Sequence, residues 1–121
     1  MTPREANVLL TRAALLDGRL RREPGELAQM ATAWAGVLVD VPIDLAVAAL
    51  ALHYREQTRA VMPADIIALL DDVTPADIEP EQDTASWLAA RGIDSDAFAA
   101  RLAAGERPTR ALRELGAEVS S

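Results

Sequence analysis

A proline stands at the head of five of the apolar, helically spaced runs in this chain: Pro3, Pro24, Pro42, Pro63 and Pro108. Proline lacks an amide hydrogen and has a fixed φ, so it fits the first turn of a helix and breaks a helix interior. Prolines at this spacing cut the chain into helices of a few turns each.

The first helix has a start signal. In Thr2-Pro3-Arg4-Glu5 the threonine caps the amide three residues on, and the glutamate reaches back to complete a capping box. This helix is expected to run to about Asp17 and stop at Gly18, with Leu9, Ala13, Leu16 and Leu20 on one face. After Pro24, the residues Leu27, Met30, Ala31, Trp34, Val37 and Leu38 keep 3,4 spacing. Asp40-Val41-Pro42 ends that helix and opens a third, where Ile43, Ala46, Val47, Leu50, His53 and Tyr54 share a face. From Leu45 to Leu52 the other side is apolar too, which marks a central, buried helix. Arg55, Glu56 and Arg59 mark its emergence into solvent. Pro63 sets up a fourth helix, with Asp65 placed favourably for the helix dipole. Its buried face is Ile66, Ile67, Leu69 and Leu70.

Composition changes after residue 70. Residues 71–83 hold six acidic residues, two prolines and no arginine, and read as a solvated linker with a helical turn after Thr74-Pro75. Three short helical patterns follow, from Thr84 to Arg91, Ser95 to Ala104 and Pro108 to Leu115, with Gly92, Gly105 and Gly116 as stops. Trp87, Leu88, Ile93, Phe98, Leu102, Leu112 and Leu115 are the apolar residues available to hold them together. The predicted class is all-α: a compact four-helix bundle over 1–73, then an acidic linker and short helices over 74–121. Alanine and leucine dominate the apolar half of the chain, and aromatics are only 3% of the whole chain, which suits helices and disfavours strands.

The absence of cysteine excludes a disulfide framework, a thiolate metal site and a cysteine nucleophile. No basic segment followed by a long apolar run opens the chain, and no run of about 18 apolar residues exists, so a cytoplasmic, non-membrane protein is expected. All 12 basic residues are arginine, and the net charge is −7. That balance opposes nonspecific binding to phosphate backbones, so direct nucleic-acid binding is not expected. The six glycines match neither GxGxxG nor GxxxxGK[ST], which excludes nucleotide binding by those loops. No cofactor is expected.

His53 is the only histidine, too few donors for a metal set without cysteine. It reads as a helix-end residue making a local hydrogen bond, and Tyr54 as a core residue with its hydroxyl at the rim. Asp71 and Asp72 are adjacent, so on a helix they do not face each other as an acid–base pair would. Arg19, Arg21 and Arg22 form one basic cluster, and Arg107, Arg110 and Arg113 another. Each is either a contact for phosphate or an acidic protein surface, or a solvated face balanced by Glu23, Glu26, Glu106 and Glu114. Trp34 lies on a core stripe. Trp87 follows the acidic linker and, with Phe98, is either core or an anchor for a partner.

One ordered set goes beyond helical pattern: Trp34, Leu38 and Asp40; then Ala46, Ala49 and His53-Tyr54; then, after eight residues, Pro63-x-Asp65-Ile66. This resembles the N-terminal domain of phage replicative helicase loader/inhibitor proteins, over about residues 6–70. The resemblance implies a compact helical bundle in an adaptor that binds a bacterial replicative helicase and loads or inhibits it during phage or prophage DNA replication. It implies no catalytic residues. In that family a flexible C-terminal segment carries the helicase contact, here residues 74–121. The chain departs from the pattern, because its tail has three helix-like stretches.

The expected function is therefore a non-enzymatic, protein-binding adaptor, with Trp87, Phe98, Arg107, Arg110 and Arg113 as partner-binding residues. The alternative is a small acidic phage-type protein that inhibits a different host enzyme or occupies a nucleic-acid-binding site. A helix-turn-helix DNA binder and an enzyme are further readings, both disfavoured by the charge and motif arguments above.

Overall fold

The computed structural model describes residues 1–78 and 87–120, without the side chains of 118–120. Among the described residues every regular element is helical and there is no strand, so the protein is all-α.

Helix α1 spans Pro3–Leu16 and has the expected capping box. The Glu5 amide donates to Thr2 Oγ1 at 3.2 Å, and the Thr2 amide donates to Glu5 Oε1 at 2.9 Å. Such a cap contributes about 1 kcal/mol. The helix stops at Leu16, and the residue that ends it is Asp17 in extended conformation, with a single 3-10 turn over Gly18–Leu20 behind it. Leu9, Ala13 and Leu20 are buried, joined by Ala6 and Leu10, but Leu16 is 60% exposed. The expected stripe is uncovered at its last turn.

Helix α2 (Pro24–Val37) buries Ala31, Trp34 and Ala35, and Leu38 just beyond it is fully buried. Val37, expected on that face, is 55% exposed. Helix α3 (Ile43–Glu56) buries residues on both sides: Ile43, Ala46, Leu50 and His53, and also Leu45, Ala48 and Ala49. It is the central helix that its composition required. Helix α4 (Pro63–Leu69) buries Ile66, and a 3-10 turn over Leu70–Asp72 buries Leu70; Ile67 is 44% exposed. Helix α1 packs on α2 and α3, and α3 packs on α4.

Side chains of α3 and α4 hold the connection between them. His53 Nε2 lies 2.8 Å from the carbonyl of Arg59, which only accepts, so this nitrogen carries the proton. The Tyr54 hydroxyl accepts from the Val61 amide at 3.1 Å, and Asp65 accepts from the Met62 amide at 2.8 Å and from Arg59 at 2.9 Å. His53 and Tyr54 meet edge to face, 4.8 Å between ring centres.

The segment after α4 is less solvated than its acidity suggested. A 3-10 turn forms at Pro75–Asp77, Val73 is buried and Ile78 is half-buried. Asp71 accepts from the Thr109 amide and hydroxyl at 3.2 and 2.7 Å. The rest of the expected linker, 79–83, and the expected helix start at Thr84 lie outside the described residues. Residues 87–90 are helical, and Gly92 ends them with φ 73°. Helix α5 (Ser95–Ala103) is capped by Asp94 and followed by Gly105 at φ 89°. Helix α6 (Pro108–Ser120) runs through Gly116 instead of stopping there. A glycine ends a helix by turning left-handed, as Gly92 and Gly105 do and Gly116 does not; inside a helix it costs only about 1 kcal/mol.

One buried cluster takes in Leu9, Leu10, Trp34, Leu38, Leu50, Ile66 and Val73, and continues through Leu88, Ile93, Phe98, Leu102, Ala111 and Leu115. The core thus has no break at residue 73: the C-terminal helices share it. Short helices are marginal alone, and these gain their stability from that shared burial. No helix among the described residues is long and apolar enough to cross a membrane.

Candidate functional site

Where the C-terminal helices meet the first four, an apolar groove of about 670 Å³ remains. Its walls are Val37 and Val41 from the end of α2, Ile67 and Leu70 from α4 and its following turn, Trp87 and Ile93, and Leu112 and Gly116 of α6; Asp40, Arg91, Thr109 and Arg113 stand with them. Two of its apolar walls, Val37 at 55% and Ile67 at 44%, are exposed. Exposed apolar surface gathered in one concavity marks a binding groove, for a protein segment or for a ligand.

Trp87 is half-buried there, and its ring is covered by the Arg91 guanidinium, 4.1 Å from the ring centre. Arg91 also donates to the Val39 carbonyl at 2.8 Å and pairs with Asp40 at 3.3 Å. A cation just past the C-terminus of α2 suits the negative end of that helix. Arg91 therefore fixes both the tryptophan and the groove wall behind it.

A second hollow, of about 580 Å³, is lined by Asp71, Gly105, Glu106, Arg107, Thr109, Arg110 and Arg113. It shares Thr109 and Arg113 with the groove. Arg110 donates to Glu114 at 2.9 Å; this pairing holds the glutamate below its ordinary pKa and raises that of the arginine. Glu106 lies 3.4 Å from Arg101. Among the described residues, Arg107 and Arg113 are exposed and have no carboxylate within ion-pairing distance.

Of the residues singled out in the sequence, Trp87 and Arg113 come together in the groove, and Arg107 and Arg110 join Arg113 in the hollow. Phe98 does not. It is 5% exposed and belongs to the core, because α5 turns its apolar side inward. In the other basic cluster, Arg19 is tied to Asp17 and to the Thr58 carbonyl, and Arg22 donates to the carbonyls of Arg19 and Arg21. Asp17 is held well below the usual carboxylate range, first by its Arg19 hydrogen bond and then by that from Tyr54.

The sequence reading missed Val37, Ile67 and Arg91. A signal for the first two existed: Val37-Leu38 at the end of α2 and Ile66-Ile67 within α4 are adjacent apolar pairs. Neighbouring helical residues point about 100° apart, so one core seldom takes both. The residues that carry the family resemblance mostly hold the fold: Trp34 and Leu38 are core, and His53, Tyr54 and Asp65 pin the α3–α4 connection. No family model, no curated protein and no solved structure matches the chain.

Proposed function

We propose that this protein is a non-enzymatic adaptor that binds another protein through the groove between Val37, Ile67, Trp87 and Leu112. The observation that carries the reading is the exposed apolar wall of that groove with a half-buried tryptophan in it. Tryptophan in a partly desolvated pocket is the typical centre of a protein interface. A stable interface takes about 800 Å² from each partner, so the groove is the anchor and the surrounding helices the rim.

The partner we propose is a bacterial replicative DNA helicase, loaded or inhibited during phage or prophage DNA replication. Its support is the ordered Trp34, His53-Tyr54 and Pro63-x-Asp65-Ile66 set. These residues argue through sequence likeness alone, since they face the core and the α3–α4 connection and not the groove. The second reading is inhibition of a different host enzyme, and the net charge of −7 favours a protein target over nucleic acid in either case.

The test is retention of purified bacterial replicative helicase by the immobilised full chain, beside the double variant Val37→Glu, Ile67→Glu. Retention by the wild type and loss in the variant is the expected result. Retention that the variant keeps would move the contact elsewhere. No retention would remove the helicase, and capture of a different enzyme that the variant loses would favour the second reading.

A further inference from the structure

We infer that the segment received by the groove is an apolar one that carries acidic residues at the end lying over α6. The inference rests on the groove being the binding site, and it adds the chemistry of the occupant. It comes from the continuity of two surfaces. The apolar groove and the arginine-lined hollow share Thr109 and Arg113, so a chain seated in the first extends into the second.

Arg107, just before α6, and Arg110 and Arg113 within it are spaced three apart and span about 9 Å, the rise of six helical residues. The carboxylates in the hollow are already engaged. Of the two that line it, Asp71 accepts twice from Thr109 and Glu106 pairs with Arg101; Glu114, outside the lining, pairs with Arg101 and Arg110. That leaves the guanidinium groups of Arg107 and Arg113 without an acidic partner among the described residues. In a chain of net charge −7, unpaired arginines beside its apolar groove are a local reversal of sign. Guanidinium groups match carboxylates in a fork geometry, and complementary charge at a rim sets register and on-rate more than raw affinity. An acidic, apolar segment gains from both surfaces; a basic one is repelled at the α6 end.

The test is selection of displayed random 12-residue peptides on the full chain, with the best peptide then titrated by tryptophan fluorescence. Enriched peptides should combine large apolar residues with Asp or Glu toward one end. Arg107→Glu with Arg113→Glu should weaken the best peptide about ten-fold, as two rim charges imply, and more so at low salt. Both arginines are exposed and have no acidic partner among the described residues, so circular dichroism should show the variant folded. Apolar peptides without acidic bias, insensitive to the charge reversal, would overturn the inference and leave the groove reading intact. Enrichment of no peptide would overturn both. Concentration-dependent dimerisation abolished by Ile67→Glu would give the groove to a second copy of the chain, and would overturn the acidic-segment inference as well.

Discussion

The Tyr54 hydroxyl lies 2.7 Å from Oδ2 of Asp17 and donates to it, although the two residues are 37 positions apart. The same hydroxyl accepts from the Val61 amide at 3.1 Å. One phenol thus joins the end of α1 to the α3–α4 connection, and Arg19 completes the cluster with three hydrogen bonds to Asp17, from its guanidinium at 2.8 and 2.9 Å and from its amide at 3.1 Å.

Tyr54→Phe should lower stability by about 1–3 kcal/mol, because it leaves an amide and a carboxylate short of a partner. Urea unfolding measures it. A loss below about 0.5 kcal/mol would mean that solvent replaces the hydroxyl at little cost.

Asp17 also sets a pH dependence. Its pKa in the folded chain is lowered from 3.8. Its contribution is therefore present above that unfolded value and is lost as pH falls through the folded one. Asp17→Asn should be less stable than wild type at pH 7 and should lose less on going to pH 3. Urea midpoints at the two pH values check this; parallel losses in both proteins would assign the acid sensitivity to other carboxylates.

Trp34 is 6% exposed and lies among the α2 core residues. Trp34→Ala should cost about 3–5 kcal/mol. A cost under about 1 kcal/mol would contradict its burial.

Trp87 and Phe98 should separate. Phe98→Ala removes a core ring and should lower stability by about 3 kcal/mol or more. Trp87→Ala opens the groove and should cost about 2 kcal/mol in partner affinity, with a smaller loss of stability. Melting temperature and affinity measured on both variants decide it. Unchanged affinity in Trp87→Ala would remove the tryptophan from the interface.

The fragment 1–73 should be markedly less stable than the full chain. Helix α6 packs on the Leu70–Asp72 turn, and the buried cluster continues past residue 73. A lower melting temperature and binding of a hydrophobic dye are expected. A fragment as stable as the full chain would make the C-terminal helices an appendage.

The local signals were legible because the groups that answer them are close in sequence. Thr2, Pro3 and Glu5 build their cap within one turn, and the prolines sit where a missing amide is harmless. The all-round apolar stretch of α3 gave its central place for the same kind of reason: nothing else could hide both sides. His53 could be read as a structural residue, since its partner Arg59 is six positions away.

Glycine shows where local reading stops. Gly92 and Gly105 turn left-handed and end their helices, whereas Gly116 stays inside α6. The residue permits both conformations, and the choice falls to what the rest of the helix packs against. Val37-Leu38 and Ile66-Ile67 pose the same problem: the sequence supplies two apolar neighbours, and only the packed helices leave one of each pair in the groove. By itself the sequence determined an all-α chain, the helix starts at Pro3, Pro24, Pro63, Ser95 and Pro108, and the central helix. The tertiary structure alone decided that Phe98 is core, that Tyr54 meets Asp17, and that residues from 37 to 116 line one groove. The physical reason is range: capping and periodicity act within a turn or two, while a groove is the space left over when distant faces have been buried against each other.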